Sequence, residues 1–598
     1  MDAGLTLIAP ALGVARSLSG RRWVWREAEE RLGLGIAERL GLPELLGRVL
    51  AARGVTIEAA GDYLAPTLRA MLPDPSLLQD MDIAVDRLAA AVTAGEMVGV
   101  FGDYDVDGAC SAALMVGLLR DLGVAVASYV PDRLKEGYGP NAAALCELVE
   151  RGATLIICTD CGSSAGEALA AVEGRAEVIV LDHHKTEQPP RVLALVNPNR
   201  SDDTAGLGGL CATAVAFLAA VGLLRALRRL GFFADRAAPD LMAALDLVAL
   251  ATVCDVMPLT GLNRALVVQG LKVMARRARP GLASLMMVAE VVGPPTTGSL
   301  GFALGPRINA AGRVAEADLA LRLLLAPDRG CADPLARALD AVNRVRQEVE
   351  RAVLDAAMAA AAVQAEAGTP VLLVSGAGWH PGVVGIVAGR IKERFNRPAC
   401  VLGLAGDLAR GSGRSVRGLD LGAAVMAAIR DGVLESGGGH AMAAGFSLQA
   451  SRLPVFHALL NERLAAASRL PVAADLAVEG ALSVRGATAE LAALLARVAP
   501  FGAGNEEPVL VLPRVRVLRA DRVGRDGRTI RAVIADEDGA TGGAGRCKAI
   551  AFRAAEGALA MPLLERAGRL LHLAGHLRVD RWNGSEGASF VITDAALA

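Results

Sequence analysis

With 598 residues, the chain is too long for one domain, and about three or four domains are expected. The composition is 53% hydrophobic but only 3% aromatic, with nine scattered cysteines. This composition predicts aliphatic cores, and the scattered cysteines fit a reducing cytoplasm and argue against a disulfide framework. The sequence also argues against a secretory leader and a membrane span. A formal net charge of −2 gives no indication of a nucleic-acid partner, so such a function would need local basic patches.

The first 80 residues read as an N-terminal extension, with helical patterns around residues 40–53 that end in turns rich in Pro and Asp. From 81 to 334 the pattern changes to strand, loop and helix, repeated. The clearest strands and helices are predicted at 97–101, 111–122, 124–130, 141–151, 154–158 and 178–181. This alternation predicts a parallel sheet with helices on both faces and a ligand site at the carboxyl ends of the strands.

Residues 335–367 lack Gly and Pro and predict one connecting helix, roughly 50 Å long at ~1.5 Å per residue. A second α/β domain is predicted at 368–469, beginning with a strand at 371–374. The last segment, 470–598, alternates Val and Arg between Gly-rich turns and predicts a small β-barrel. The predicted fold class is therefore α/β: a parallel-sheet lobe, a long helix, a second α/β lobe and a C-terminal barrel.

Three predicted strands of the first lobe end in acidic residues. They are followed by Asp103, Asp105 and Asp107, by Asp160, and by Asp182 with His183 and His184. Like charges at ~4 Å repel by several kcal/mol at an intermediate dielectric, so carboxylates that converge in this way need a cation. Asp and His are ligands for Mn or Mg, and a pair of such ions can activate a water and hold a phosphoryl oxygen.

Two further observations refine this metal-site prediction. The adjacent histidines point to opposite sides of an extended backbone, so one can ligate a metal while the other faces a substrate. Asp255 follows the apolar run 241–253 and is a candidate ligand from a helix end. Asp-x-Asp alone is usually a turn and tandem His alone usually lies on the surface. Their joint occurrence after successive strands favours the metal site. The pair Cys158 and Cys161 lacks a partner pair, which argues against zinc.

Taken together, residues 102–108 (Gly-Asp-Tyr-Asp-Val-Asp-Gly), 160–162, 182–184 and Asp255 resemble the signature motifs of the DHH phosphoesterase family. Within that family, residues 305–313, 379–388 and 437–440 resemble the RecJ exonuclease group, and 501–505 with 582–584 resemble its OB-like domain. The resemblance covers nearly the whole chain. One departure is Glu506, where Pro is expected, and it bears only on the local geometry of the barrel.

The resemblance implies a metal-dependent 5′-to-3′ exonuclease for single-stranded DNA that acts in DNA repair and recombination. It is expected to be a cytoplasmic monomer, with a helicase and a single-stranded-DNA-binding protein as candidate partners. It implies that His184 approaches the scissile phosphate and that Asp182 orients the histidine pair. The residues expected to hold two divalent ions, with Asp160 as the bridge, are Asp103, Asp105, Asp107, Asp160, His183 and Asp255.

Candidate strand-binding residues lie outside the acidic motifs. Residues 411–415 read as a Gly-rich turn whose N–H groups, with Ser412 and Arg414, suit a phosphate. Arg307 and Arg313 flank a predicted tight turn that contains Asn309, with a helix-end salt bridge as the alternative. His440 follows three glycines. Tyr138 lies in a loop where a base could stack on it or where it anchors the loop.

The barrel sequence adds a basic surface, with a solvated strand face as the alternative interpretation. Its members are Arg514, Arg516, Arg519, Arg522, Arg525, Arg578 and Arg581 with Trp582.

Two rival functions remain. A DHH phosphodiesterase of short oligonucleotides or cyclic dinucleotides would not need the extension, the connecting helix and the barrel. A non-catalytic DNA-binding scaffold would not need the complete acidic set.

Overall fold

The computed structural model describes residues 9–133, 135–186, 188–314, 316–469, 475–524, 526–539, 545–565, 569–582 and 585–598. The chain divides into two compact units. Unit 1 comprises Met1–Gly61, Gln347–Ala499 and Glu507–Ala598, and unit 2 comprises Asp62–Arg346 with the short segment Pro500–Glu506. Within the described ranges, no helix is both long enough and apolar enough to cross a membrane.

The N-terminal segment contains short elements. They are β1 (Trp23–Trp25), α1 (Glu30–Leu40), α2 (Glu44–Ala51), α3 (Ala60–Leu64), α4 (Leu68–Met71) and α5 (Met81–Ala94). The helical pattern around 40–53 therefore belongs to two helices. Gly41, with φ +63°, ends α1, and Pro43 precedes α2. Short 3-10 helices lie along the chain at Ala11–Gly13, Pro75–Leu77, Leu241–Ala244, Ala450–Arg452 and Ala465–Arg469.

The next region folds into the predicted parallel sheet. Its elements are β2 (Val98–Gly102), α6 (Val106–Asp121), β3 (Val126–Tyr129), α7 (Ala142–Glu150), β4 (Leu155–Thr159), α8 (Gly166–Ala170), β5 (Glu177–Leu181), β6 (Ala194–Val196) and α9 (Ala212–Arg229). The strand order is β3-β2-β4-β5-β6, and each neighbouring pair is parallel. Alternate residues of β4 enter two different cores, with Ile157 in the α6 and α9 core and Ile156 in the α7 core. The predicted sheet with helices on both faces is confirmed.

Helices complete unit 2. They are α10 (Leu245–Cys254), α11 (Gly261–Ala275), α12 (Pro280–Val288), α13 (Thr297–Ser299), a π-helix (Leu300–Leu304), α14 (Gly305–Val314), α15 (Leu319–Leu324) and the first part of α16 (Arg329–Glu366), whose residues from Gln347 onward belong to unit 1. The predicted connecting helix is α16. It begins before Pro334 because Asp328 accepts a hydrogen bond from the N–H of Cys331 and caps its first turn. The tight turn expected around Asn309 is wrong, because these residues form α14. Gly312 allows α14 to pack closely against Tyr104, since an added Cβ would lie 3.0 Å from the Tyr104 carbonyl oxygen.

In unit 1, the second α/β domain contains β7 (Leu372–Ala377), α17 (Pro381–Phe395), β8 (Ala399–Ala405), β9 (Leu408–Arg414), α18 (Leu421–Arg430), β10 (Ser436–His440), β11 (Ala443–Gln449) and α19 (Leu453–Arg463). The sheet order is β10-β11-β9-β8-β7. The Gly-rich turn expected at 411–415 is wrong, because Gly411 and Gly413 lie inside β9, which pairs on both sides. Glycine is needed there for packing, since an added Cβ would lie 2.6 Å from Leu402 and 2.5 Å from Leu421 respectively.

The C-terminal segment forms the predicted barrel. Its elements are β12 (Leu476–Val478), β13 (Gly480–Ala481), α20 (Ala489–Ala496), β14 (Leu510–Val523), β15 (Thr529–Asp536), β16 (Arg546–Ala551), α21 (Ala560–Leu564), β17 (Leu571–Trp582) and β18 (Ser585–Leu597). The sheet order is β13-β14-β15-β16-β18-β17, and pairing of β14 with β17 closes it.

The N-terminal strand β1 belongs to this barrel region, because it pairs in parallel with β12. Trp23 is fully buried and donates its indole N–H to Asp594 at 2.9 Å. Arg53 and Glu479 form a buried ion pair at 2.7 Å. These contacts join segments that lie more than 400 residues apart in the sequence.

Candidate metal centre

The acidic motifs lie where the parallel sheet places them. Asp103 follows β2, Asp160 follows β4 and Asp182 follows β5, so three carboxylates share one edge of the sheet. Asp105 caps α6, since its carboxylate accepts the N–H groups of Asp107 at 2.9 Å and Gly108 at 3.0 Å. This cap explains why α6 begins at Val106 and not at the predicted residue 111.

The ligand atoms form three overlapping groups, and one of them, Asp160 with His183 and His184, links the other two. Oxygen atoms of Asp103, Asp105 and Asp160 lie within 4.8 Å of one another, and a second such group contains Asp107, His183 and Asp255. Asp160 Oδ1 lies 3.3 Å from His183 Nε2 and so connects the two groups. Asp160 holds this position with φ +62°, a left-handed backbone that costs energy in a residue other than glycine.

Three oxygens of this cluster have no hydrogen-bond partner among the described residues. They are Asp103 Oδ1, Asp160 Oδ1 and Asp255 Oδ2, and all three are buried. An unpaired buried carboxylate oxygen is strongly unfavourable unless a cation compensates it. The donor set of carboxylates and one imidazole fits hard divalent ions such as Mn²⁺ or Mg²⁺.

The pKa values of these carboxyl groups reflect the same uncompensated charge. Burial, together with the charge of Asp105, raises the pKa of Asp103 to about 8. Burial and the charge of Asp107 raise the pKa of Asp255 to about 8, and burial raises the pKa of Asp160 well above its usual range. Without a cation, the cluster would therefore retain protons at neutral pH.

Asp107 is held by the start of α9. Its two oxygens accept the N–H of Ala212 at 2.7 Å and the N–H of Thr213 at 2.8 Å, and the Thr213 hydroxyl donates to it at 2.5 Å. A helix N-terminus favours negative charge, so this arrangement suits a carboxylate at Asp107, which is 1% exposed. No local sequence pattern indicates a role for Thr213, because it lies 106 residues from Asp107 along the chain.

The two adjacent histidines occupy opposite electrostatic environments. Burial lowers the pKa of His183, which favours the neutral imidazole that a metal requires. For His184, burial is the largest single influence and lowers the pKa, but the hydrogen bond to Asp182 at 2.8 Å and the charges of Asp182, Asp255 and Asp105 together raise it to about 9. Burial likewise acts upward on Asp182, yet hydrogen bonds from His184 and Ser163 lower its pKa to about 2. His184 is therefore a cation beside the cluster.

Tyr138 joins the site through its hydroxyl group. The hydroxyl contacts the carbonyl oxygen of Asp160 and Nδ1 of His184, both at 3.0 Å. Its ring is half exposed and lies edge-on to His184, with 5.4 Å between ring centroids. Burial of the hydroxyl raises the pKa of Tyr138, so it stays a neutral donor. The anchoring and stacking interpretations are thus compatible, since the hydroxyl is engaged while about half of the residue, 53%, remains exposed.

The other candidate residues lie elsewhere. Arg307, on α14, donates to Asp340 at 2.9 Å and to the Ala303 carbonyl at 2.7 Å, which is the salt-bridge alternative near a helix end. Asn309 is partly exposed on the same helix, and the side chain of Arg313 lies outside the described residues.

In unit 1, Ser412 and Arg414 lie on one face of β9. A Cβ added to Gly385 of α17 would be 3.4 Å from Ser412 and 3.2 Å from Arg414. His440 is exposed at the end of β10, an edge strand of the same sheet.

The basic surface of the barrel is partly neutralised. Arg514 pairs with Glu537 at 2.7 Å, Arg519 with Asp521 at 2.7 Å and Arg578 with Glu507 at 2.6 Å. These pairs are largely exposed, so they contribute little stability and can exchange partners. Arg525 and the side chains of Arg581 and Trp582 lie outside the described residues.

A parallel sheet whose strand ends carry this Asp and His set defines a DHH-type phosphoesterase domain. The family model for the DHH family, N-terminal domain, matches residues 97–252. The DHHA1 domain model matches residues 368–466, and the RecJ OB domain model matches residues 478–594. The three domains occur in the order in which the two α/β lobes and the barrel follow one another.

The relatives narrow this class. The chain is 33% identical over 589 residues to the single-stranded-DNA-specific exonuclease RecJ of Bacillus subtilis, covering 97% of this chain and 71% of the relative. It is 38% identical over 483 residues to the protein of that name in Escherichia coli, covering 78% and 83%. The crystal structure of RecJ in complex with Mn²⁺ from Thermus thermophilus superposes with a TM-score of 0.77 at 30% identity. That match covers 96% of this chain and 79% of the other. This chain belongs to the RecJ family.

Proposed function

We propose that this chain is a metal-dependent exonuclease that removes nucleotides from the 5′ end of single-stranded DNA. The three buried carboxylate oxygens of Asp103, Asp160 and Asp255 carry the proposal, because they need a cation and no described residue forms a hydrogen bond with them. The relatives in Bacillus subtilis and Escherichia coli are named single-stranded-DNA-specific exonucleases, and RecJ from Thermus thermophilus was crystallised with Mn²⁺.

Two of the ligand groups, one around Asp103 and Asp105 and one around Asp107 and Asp255, suggest how the ligands divide between two metal ions. Asp103 and Asp105 would hold one ion, and Asp107, His183 and Asp255 would hold the other, with Asp160 shared. Two bound divalent ions supply a water of lowered pKa and neutralise charge on a phosphodiester. The lowered pKa of His183 favours the neutral imidazole that a metal requires, and the N–H of Ala212 holds the Asp107 carboxylate in place.

His184 and Asp182 act on the substrate side of the cluster. The raised pKa of His184 keeps it cationic at neutral pH, so it can donate to a non-bridging phosphate oxygen as negative charge develops. Asp182 fixes the ring through the 2.8 Å bond to Nδ1, which leaves Nε2 for the phosphate. Tyr138 restrains the same ring, and its exposed part would be available for stacking on a base.

End recognition is assigned to the DHHA1 domain. Ser412 and Arg414 present a hydroxyl and a guanidinium on one face of β9, a pairing that suits a terminal phosphate. Arg307, Asn309, Arg313 and His440 are proposed contacts along the bound strand. Because β9 is a strand and not a loop, these donors are side chains and not consecutive backbone N–H groups.

The domains divide the work in this proposal. The catalytic residues lie in the domain 81–334, and the helix 335–367 connects it to the next domain. The domain 368–469 binds the end of the DNA strand, and the domain 470–598 binds the nucleotides that follow. The extension 1–80 precedes all of them. An OB-type barrel with exposed arginines suits sequence-tolerant strand binding. The acid partners of Arg514, Arg519 and Arg578 are exposed or partly exposed, so phosphates can replace them.

The cellular setting follows from the substrate. An exonuclease specific for single strands needs another protein to open duplex DNA, so a helicase and a single-stranded-DNA-binding protein are the proposed partners. We propose that it works as a monomer in DNA repair and recombination, and the nine unpaired cysteines fit a reducing cytoplasm.

The test uses 5′- and 3′-end-labelled single and double strands, with and without Mn²⁺. We expect mononucleotides to be released first from the 5′ end of the single strand, and only with the metal. Asp160→Asn should abolish release, whereas Asp86→Asn, at an exposed acid on α5 of unit 2, should not. Activity confined to dinucleotides or cyclic dinucleotides would instead support the short-substrate phosphodiesterase, and release without metal would refute the proposal.

A further inference from the structure

His183 and His184 lie outside the helices and strands. Even so, their two backbone N–H groups and their two carbonyl groups all have hydrogen-bond partners. Both N–H groups donate to one oxygen, Asp182 Oδ1, at 2.7 and 3.2 Å. The His183 carbonyl accepts from Asn199 at 2.7 Å, and the His184 carbonyl accepts from Asn197 at 2.7 Å. Backbone groups at such a site must find partners somewhere. Here three side chains take the place of a helix or a strand.

The two asparagines form a single brace, which we call the Asn brace (Asn197 and Asn199). The N–H of Asn199 donates to Asn197 Oδ1 at 2.8 Å, and Asn197 Nδ2 also donates to the Ser163 hydroxyl at 2.7 Å. The amide orientation of Asn197 is therefore set by its partners, since its oxygen faces a donor and its nitrogen faces a carbonyl. Asn197 is fully buried, so these bonds do not compete with water.

The Asn brace is itself anchored to the sheet. It directly follows β6, and the next residue, Arg200, donates to Asp80 and to the Leu195 carbonyl, both at 2.6 Å. Asn199 also donates to the Gly208 carbonyl at 3.0 Å. The Asn brace thus holds the histidine backbone at a set position relative to the edge of the sheet. This restraint is separate from the one that β5 provides, the strand that precedes the two histidines.

We infer that Asn197 and Asn199 are positioning residues of the metal centre, fixing the peptide planes from which His183 reaches its three carboxylate neighbours. His183 Nε2 lies 3.3–3.8 Å from those oxygens, a placement that a small backbone rotation would lose. The hydrogen bonds of the brace go to the histidine backbone and not to the ligand oxygens, so it acts through the two histidines. This inference rests on the proposed metal-dependent function.

The test is Asn199→Asp, which keeps the shape but replaces the donor with an oxygen that repels two carbonyls. We expect the Kd for Mn²⁺, read from the electron paramagnetic resonance signal of free Mn²⁺, to rise by about 10- to 100-fold. Saturating Mn²⁺ should restore most of kcat. The matched control is Ser284→Ala, which removes another buried hydrogen bond of unit 2, to Asp333 at 2.6 Å. It should lower the melting temperature but leave the Kd for Mn²⁺ unchanged.

A purely structural role predicts the opposite pattern. If Asn199→Asp lowers the melting temperature as the control does, but its Kd for Mn²⁺ changes by less than about threefold, the inference is overturned. If Asn199→Asp does not fold, Asn199→Ala removes the donor without adding charge, and the same threshold applies to it. Failure of the unaltered protein to bind Mn²⁺ or to cleave single-stranded DNA would instead refute the proposed function.

Discussion

The carboxyl groups of the cluster should couple metal binding to proton release. In the metal-free protein, burial raises the pKa of Asp103 and of Asp255 to about 8 and the pKa of Asp160 well above its usual range. A carboxyl group with a pKa near 8 is mostly protonated at pH 7, and it must lose that proton before it can ligate a cation. Mn²⁺ binding at pH 7 should therefore release on the order of two to three protons.

The same protons set the stability of the metal-free fold. An unfolded Asp has a pKa of about 4, so between about pH 4 and pH 8 the folded cluster binds more protons than the unfolded chain. The free energy of unfolding must then fall as pH rises through this window, by about 1.4 kcal/mol per pH unit for each such proton. The contribution is fully present below about pH 4 and is lost near pH 8.

Two measurements check this coupling. Calorimetric titration with Mn²⁺ in buffers of different ionisation enthalpy counts the released protons. Thermal unfolding in EDTA at pH 5, 6, 7 and 8 gives the slope. Asp103→Asn is the control, since a neutral amide cannot take up the proton. It should reduce the slope of unfolding free energy against pH by about the contribution of one proton. A metal-free melting temperature that rises from pH 5 to 8, or metal binding without proton release, would refute the reasoning.

Three substitutions test individual roles. His183→Ala removes the imidazole that lies between three carboxylates, and we expect hydrolysis to be lost with an unchanged circular dichroism spectrum; near-normal turnover at saturating Mn²⁺ would contradict its ligand role. Tyr138→Phe removes the hydroxyl contacts to Asp160 and His184, so kcat should fall by about one order of magnitude with KM unchanged. A change in KM alone would assign this hydroxyl to strand binding. Arg414→Ala should lower kcat/KM for 5′-phosphorylated strands by about one to two orders of magnitude. The loss should be much smaller for 5′-hydroxyl strands, and equal losses in matched steady-state kinetics would place Arg414 on an internal phosphate.

The sequence by itself determined the parallel sheet and the place of the acidic residues. Strand and helix periodicities are local signals, so the sequence alone predicts these elements. Because the carboxyl ends of parallel strands lie at one edge of a sheet, Asp103, Asp160 and Asp182 could be predicted to lie close together. Asp255 was predicted by a different pattern, as a candidate ligand at a helix end after the apolar run 241–253, and it directly follows α10. The barrel followed from alternating residues between turns, which are also short-range signals.

Local patterns were insufficient where glycine has more than one use. Glycine favours turns, but it also permits close packing inside a sheet, and only the neighbours decide between the two. Gly411 and Gly413 pack against Leu402 and Leu421, residues that no local pattern associates with them. The turn expected at Asn309 failed for the same reason, since Gly312 makes room for Tyr104.

Only the tertiary structure decided the contacts between distant segments. The strand at Trp23 pairs beside Leu476, and the Leu259 N–H donates to Ala503 at 2.8 Å, so a segment from the barrel sequence belongs to unit 2. The opposite charge states of His183 and His184 also have this origin. The two residues are identical in type and adjacent in sequence, and burial lowers the pKa of both. Their pKa values diverge because His184 also has a hydrogen bond to Asp182, which together with the nearby carboxylate charges outweighs burial. Such differences depend on which atoms surround each ring, and folding alone brings those atoms together.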